Sequence, residues 1–137
     1  MWKYYALFSA FFAALTTILV KIGISGVSGN VATAIRTIVI LVIAWGIVVA
    51  TGEHRQIINI SKRSLLFIIL SGGATGLSWL FYFKALETGL ASKVAVIDKS
   101  SLALTLILAF ILLREPISLK VVIGCIFIIA GTLIVMK

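Results

Sequence analysis

A carboxylate and an ammonium group on adjacent residues, Asp98 and Lys99, interrupt an otherwise apolar part of the chain. After them, only the fourteen residues 100–113 are uncharged, which make about 21 Å of helix at 1.5 Å per residue. Because the hydrocarbon core of a bilayer is about 30 Å thick, a spanning helix must begin near Val94 and carry both charges into the membrane. Ionisable groups at that depth are costly and usually line a cavity. The pair therefore predicts a polar pathway through the membrane.

Other ionisable residues fall near the ends of the neighbouring apolar stretches. We expect six side chains to lie toward one side of the membrane as a candidate substrate or ion pathway, with at least one of them in contact with a substrate or coupling ion: Lys21, Arg36, Lys84, Glu87, Asp98 and Lys99. Lys84 and Glu87 are three residues apart and can pair on one helix face. Asp98 and Lys99 point about 100° apart on a helix, so we expect Arg36 or Lys21 as the partner of Asp98. The alternative is a structural cluster of ion pairs that contacts no substrate.

Uncharged residues in the third apolar stretch form two further features. Gly72 and Gly76 belong to a run of small residues that lets helices approach closely in lipid, and we predict a helix-packing role for them. Trp79 and Tyr82 follow at once, and their rings could line a site for a hydrophobic or cationic ligand. The alternative for the aromatic pair is contact with the protein core or with lipid. Thr16 and Thr17 in the first stretch are expected to bond to carbonyls of their own helix.

Composition defines the solvent in which these residues must fold. Of 137 residues, 62% are hydrophobic and 12% are charged, and the mean hydropathy is +1.26. A soluble domain of this size cannot hide so much apolar surface, so lipid must cover most side chains. We predict an all-α integral membrane bundle in a single domain, 1–137. Its five transmembrane helices are predicted at about residues 4–22, 31–51, 64–86, 91–113 and 117–136, each near the length that crosses a bilayer.

Breaks in the apolar pattern suggest where helices begin and end. Asn30 can cap the second helix, and Gly52 can end it. Pro116 suits the first turn of the fifth helix, where its missing N–H has no cost. The connections are short, so neighbouring helices are expected to pack antiparallel.

The same composition argues against several classes of protein. A net charge of +8 could suit nucleic acid, but the basic residues are scattered between apolar runs, which is typical of anchors at membrane interfaces. Cys125 stands alone in an apolar stretch and implies neither a disulfide nor a metal site. No nucleophile–base pair, phosphate-binding loop or metal-ligand spacing occurs. We therefore expect no enzyme, no cofactor, no metal and no nucleic-acid partner.

The basic residues divide evenly between the two sides of a five-span protein. The side with the N-terminus would hold Lys3, Arg55, Lys62, Arg63, Arg114 and Lys120, and the other side Lys21, Arg36, Lys84, Lys93, Lys99 and Lys137. On this count the positive-inside rule gives no orientation, and insertion in both directions is allowed. If Lys21, Arg36, Lys84 and Lys99 belong to the membrane interior, the N-terminal side is cytoplasmic.

Several segments resemble the EamA domain of the drug/metabolite transporter superfamily. They are residues 13–21, 34–37, 82–86, 92–100 and 112–115, followed by Gly124 and Gly131. The resemblance covers nearly the whole chain and is closest to the small members with one five-helix unit. Two departures stand out. Leu90 and Val96 occupy positions where such domains often have proline, so the fourth helix is expected to be less broken. The first helix lacks the acidic residue of the small multidrug exporters, which argues against a proton-coupled polycation exporter.

The resemblance implies a transporter in the cell (plasma or inner) membrane that exports a small-molecule metabolite or drug. Large members resemble two such units in one chain, the second inverted, so a single unit is expected to work by alternating access as a homodimer, either antiparallel or parallel. Because basic residues outnumber Glu87 and Asp98 on their side, an anionic substrate is expected. Two alternatives remain: a subunit of a lipid-carrier flippase, and a structural membrane subunit that carries no solute.

Overall fold

In the computed structural model, residues 1–116 and 118–137 are described, and they divide into two compact units, Met1–Thr88 and Gly89–Lys137. Five helical stretches in this described part are long and apolar enough to cross a membrane: Trp2–Gly23, Gly29–Ala50, Lys62–Thr88, Ala91–Leu113 and Leu119–Met136. These bounds confirm the predicted all-α architecture of five spans, because apolar stretches of this length have no other stable form in lipid. Residue 117, with which the fifth span was predicted to begin, lies outside the described residues.

The first unit is a set of three long helices: α1 (Trp2–Gly23), α2 (Gly29–Ala50) and α3 (Lys62–Thr88). Both α1 and α2 pack against α3. A 3₁₀-helix, Glu53–Asn59, occupies most of the polar connection between α2 and α3. Since each helix reverses the direction of the one before, the end of α1, the start of α2 and the end of α3 all lie on one side of the unit.

The ends of α2 show one wrong and one confirmed prediction. Its N-cap is Ser28, whose side chain accepts a hydrogen bond from Val31 N at 3.4 Å, whereas Asn30 is already helical. The prediction failed because serine and asparagine are equally good caps and stand two residues apart. At the other end, Gly52 adopts φ 74° directly after the last turn, as predicted for a residue that must enter the left-handed region.

Little of the first unit is buried within the protein. Ile24, Phe83 and Leu86 are its buried hydrophobic residues, at 7%, 1% and 0% exposure, and Thr17 and Thr33 are its buried polar ones. Large apolar side chains elsewhere on α1–α3 are exposed over wide areas, as expected of a surface that contacts lipid. The small core therefore lies where the three helix ends meet, and most of each helix faces outward.

The second unit contains the fourth span in two pieces, α4 (Ala91–Asp98) and α5 (Ser101–Leu108), followed by a π-helical turn, Ala109–Leu113. Between them, Lys99 N and Ser100 N donate to carbonyls three residues earlier, at 3.1 and 3.0 Å, in place of the regular four-residue pattern. The expectation that this helix is less broken than in related domains stays a prediction. The helix changes to a tighter 3₁₀ turn without any proline.

The last helix, α6 (Leu119–Met136), packs against α4 and α5. Thr132 Oγ1 donates to Ile128 O at 2.9 Å and approaches Val96 O on α4 at 3.3 Å. Ser118 caps α6 by accepting a hydrogen bond from Val121 N at 3.3 Å. Pro116 therefore lies before the helix, and its predicted place in the first turn was wrong because Ser118 offers a side-chain acceptor that proline lacks.

Candidate functional site

A close contact in the first unit joins the start of α2 to the end of α3. Gly29 N donates a hydrogen bond to Glu87 Oε1. A Cβ atom at Gly29 would lie 3.1 Å from the carbonyl carbon of Phe83 and 3.2 Å from Lys84 N, so only glycine allows this approach. The carboxylate thus occupies the positive end of α2, where an N–H has no partner in its own helix.

Glu87 therefore binds the N-terminus of α2. The ion pair with Lys84 that was predicted from their spacing does not form among the described residues. The prediction considered α3 alone and could not include the N-terminus of α2, which offers the carboxylate a hydrogen-bond donor at short range. Lys84 remains exposed, and its side chain has the reach to extend toward the headgroups.

A second helix end on this side holds Lys21. Its Nζ donates to the carbonyl oxygen of Leu86 at 2.6 Å, near the C-terminus of α3, where a cation is favoured. Lys21 and Glu87 also line a shared cavity of about 580 Å³ formed largely by the turn between α1 and α2. One basic and one acidic side chain thus stabilise the two helix ends, which is a structural use of both groups.

Arg36 is in a different environment, two turns into α2. Its guanidinium carbon lies 4.2 Å from the centre of the Trp79 ring and 5.4 Å from that of Phe83. Stacking on an aromatic face stabilises the cation while leaving its N–H donors at the edge of the group. No hydrogen bond or ion pair of Arg36 is found among residues 1–116 and 118–137. The predicted aromatic residue Trp79 therefore contacts a cation, and that cation is part of the protein.

A groove of about 410 Å³ lies between α1 and α2, and Arg36 and Phe83 line it. Its other lining residues are uncharged and mostly apolar: Thr16, Leu19, Val20, Gly23, Ile24, Val27, Ala32 and Ile35. Thr16 and Arg36 are each seven residues from their helix ends, Gly23 and Gly29, so both lie about 10 Å inside the spans.

The hydroxyl groups of Thr16 and Thr17 differ in their partners. Thr17 Oγ1 donates to Ala13 O at 3.1 Å, as predicted, and it also lies 2.7 Å from Tyr82 Oη. Tyr82 therefore ties α3 to α1 through this contact. The Thr16 hydroxyl makes no hydrogen bond to the part of the chain that the structure describes, so the prediction of an own-helix bond was wrong for Thr16.

In the second unit, Asp98 is the last residue of α4, and Lys99 lies in the turn between α4 and α5. Lys99 Nζ is 3.4 Å from Asp98 Oδ2, and the side chains are 55% and 38% exposed, respectively. The expectation that the two residues need other partners was wrong, because the long lysine side chain lets its ammonium group reach back to the carboxylate of the preceding residue. Asp98 is seven residues after Ala91, about 10 Å into the fourth span. The pairing of Asp98 with Arg36 or Lys21 stays a prediction.

Of the two predicted packing glycines on α3, Gly72 is exposed and Gly76 is partly exposed. A Cβ atom at Gly72 or Gly76 would meet nothing within 4 Å. Their role in helix packing stays a prediction, and it requires a partner surface that approaches this part of α3.

Sequence reasoning missed Gly29, Phe83 and Thr16. Gly29 carried a weak signal, as a glycine just before the predicted start of the second helix at residue 31, where close approach is one of glycine's uses. Phe83 and Thr16 look like any other apolar or small polar residue of a spanning helix. No group of three or more histidine, cysteine, aspartate or glutamate residues suited to a metal ion occurs among the described residues.

These features define a multi-pass membrane protein with polar and charged side chains inside its spans. The profile of the EamA-like transporter family matches residues 1–137. A protein of Sinorhizobium sp, described as an uncharacterized transporter in the cobO 3' region, is 44% identical over 133 residues, covering 97% of this chain and 94% of the relative. No solved structure matches. The chain belongs to the EamA-like transporter family and is a membrane transporter of the drug/metabolite type.

Proposed function

We propose that this protein exports a small organic metabolite or drug across the plasma or inner membrane, working by alternating access as a homodimer. The observation that carries the proposal is the depth of Arg36 and Asp98, each about 10 Å inside a span. Charges at that depth destabilise a helix that serves only as an anchor. Their presence is explained if they face a polar path for solute, and family membership supports the same function.

The presence of a single set of five spans in the described part of the chain supports the proposed dimer. Alternating access in many transporters needs two structurally related units that rock against each other around a site near the midplane. One set of five helices has no such counterpart, and a second copy of the chain, inserted in the opposite direction, would supply it. The even division of basic residues, six on each side, is compatible with dual insertion.

Dual insertion can be measured directly. We expect a cysteine-accessibility tag placed at the C-terminus to be labelled from both sides of the membrane in comparable amounts, because the two faces carry equal numbers of basic residues. Adding three lysines to the connection that contains Arg55 should convert this to labelling from one side. Labelling of the unmodified protein from one side only would contradict the antiparallel dimer and leave the parallel one.

Transport can be tested in proteoliposomes with a panel of radiolabelled organic acids and amines. We expect protein-dependent flux of at least one solute, and we expect Asp98→Asn to lower that flux at least ten-fold, because it removes the carboxylate at the interruption of the fourth span. Glu53→Gln, in the 3₁₀-helix outside the spans, is the matched control and should transport like the wild type.

Three outcomes would each contradict one part of these expectations: the role of Asp98, the transport of a solute, or the preference for anions. Unchanged flux together with a lower unfolding temperature in Asp98→Asn would assign the residue a structural role. Absence of solute flux accompanied by movement of a fluorescent lipid-linked sugar between leaflets would favour the flippase alternative. A transporter that carries amines and ignores acids would remove the expected preference for anions.

A further inference from the structure

We propose that the groove between α1 and α2 binds an apolar organic monoanion, with the carboxylate on Arg36 and the hydrocarbon portion along the groove walls. This inference rests on the proposed function, because it names the class of substrate that the transporter carries. It starts from the arrangement of Arg36, Trp79 and Phe83 in the first unit and uses no residue of the second.

The state of the guanidinium is the first argument. Trp79 lies against Arg36 at 4.2 Å from ring centre to Cζ, which fixes the orientation of the planar group. The N–H donors at its edge make no hydrogen bond or ion pair within the described residues, although the group borders a groove. A guanidinium held in this way is prepared for two parallel hydrogen bonds to one carboxylate.

The composition of the groove is the second argument. Arg36 is the one charged residue among those that line it, and seven of the remaining nine are hydrophobic side chains, with Gly23 and Thr16 completing the set. Such walls favour an apolar ligand body. In surroundings of low dielectric constant, a cation would be repelled, and a neutral ligand would leave the guanidinium unpaired.

The amount of charge selects among anions. A dianion would bring one charge more than Arg36 can neutralise, and a phosphate monoester carries about −1.5 to −2 at neutral pH. A carboxylate carries one charge. The neighbouring cation Lys21 already donates to Leu86 O at 2.6 Å and shares its cavity with Glu87, so it adds little net charge. The groove volume of about 410 Å³ falls within the range of about 300–1,000 Å³ found for small-molecule sites.

Thr16 supplies a second polar group at the same depth. Thr16 lines the groove, and its hydroxyl has no hydrogen-bond partner in the described part of the chain. A carboxylate offers about four acceptor positions, more than one guanidinium edge uses. The bound carboxylate thus accepts hydrogen bonds from the Arg36 guanidinium and from the Thr16 hydroxyl. Lipid tails have no acceptor for either donor.

Trp79 makes the binding measurable without a transport assay. In a Trp2→Phe/Trp45→Phe background it is the single tryptophan, since the chain contains three. We would titrate octanoate into this protein in phosphatidylcholine nanodiscs and follow Trp79 emission. We expect a saturable change for octanoate, and at least ten-fold weaker responses for octanamide, octyltrimethylammonium and the dianion suberate.

Substitutions then test the residues. Arg36→Gln should weaken octanoate binding at least ten-fold, and Arg36→Lys should weaken it less. Arg63→Gln, in the first turn of α3 and outside the groove, is the matched control and should leave octanoate binding unchanged.

Gly23→Leu tests the groove itself and leaves Arg36 in place. It should also weaken octanoate binding at least ten-fold, because a Cβ at position 23 meets no atom within 4 Å and the leucine side chain can occupy the groove. Gly46→Leu, equally open but outside the groove, is its control.

Three results would overturn the inference. The first is octanoate binding that survives both Arg36→Gln and Gly23→Leu, and the second is equal binding of the cationic analogue. The third is that octanoate binding through Arg36, present in phosphatidylcholine nanodiscs, is lost in phosphatidylglycerol nanodiscs. The last would assign Arg36 to an anionic lipid headgroup. The inference and the proposed function fail separately. A protein that transports amines but does not bind octanoate refutes the inference alone. One that binds octanoate through Arg36 but carries no solute refutes the transport function.

Discussion

Replacing Gly29 with valine should destabilise the first unit by about 2–3 kcal/mol, the upper part of the range for overpacked sites. A Cβ at this position would lie 2.8 Å from Glu87 Oε1, 3.1 Å from the carbonyl carbon of Phe83 and 3.2 Å from Lys84 N. The carboxylate can swing away, but two of these neighbours are main-chain atoms of a helix and cannot. The start of α2 must therefore move off α3, and the hydrogen bond from Gly29 N to Glu87 is lost with it.

Gly46→Val is the matched control for this change. It lies in the same helix, and a Cβ there meets no atom within 4 Å, so we expect a change within about 0.5 kcal/mol. Reversible unfolding in mixed micelles, followed by far-ultraviolet circular dichroism, measures both variants. Equal stabilities of Gly29→Val and Gly46→Val would contradict the close approach of α2 to α3.

Leu86→Ala should lower the free energy of unfolding by about 2 kcal/mol, near the low end of the range for buried leucines. Leu86 is 0% exposed and lies beside Phe83, 1% exposed, in the small core of the first unit. In a membrane the lost term is packing, because lipid is as apolar as the protein interior. The bond from Lys21 Nζ to residue 86 goes to a main-chain oxygen, so the substitution retains it and isolates the packing contribution.

Leu77→Ala on the same helix provides the comparison. Leu77 is 60% exposed, and its truncation exchanges protein–lipid contacts for lipid–lipid contacts, so we expect a change below about 0.5 kcal/mol. The unfolding assay used for Gly29→Val measures this pair. If both leucine variants lost the same stability, the buried position of Leu86 would be wrong and the core of the first unit would have to lie elsewhere.

The limits of sequence reasoning show most clearly at Glu87 and Asp98. For both residues, the predicted environment came from neighbours on the same helix: Lys84 for one, and a regular 100° rotation for the other. The structure gives Glu87 a main-chain donor from α2, and it brings Asp98 and Lys99 together at a 3₁₀ turn. Spacing along one helix describes local geometry and carries no information about the end of a second helix or about how a long side chain folds back.

Arg36 shows the same division within the candidate site. Its position in the second turn of α2 predicted an ionisable group at membrane depth, and the structure places it about 10 Å inside the span. Its stacking on Trp79 and Phe83, and the groove it shares with Thr16, depend on how α1 and α2 each pack on α3. Two of these partners are ordinary residues of an apolar helix and have no signal of their own in the sequence.

By itself, the sequence determined the five spans, the membrane as solvent and the presence of charge inside the fourth helix. Those properties follow from the lengths of apolar runs measured against the thickness of a bilayer, a one-dimensional comparison. The tertiary structure alone decided that Glu87 binds the start of α2, that Lys21 binds the end of α3, and that Arg36 stacks on Trp79 beside a groove. These assignments depend on distances of a few ångströms between helices, and helix–helix packing, for which Gly29 leaves room, sets those distances.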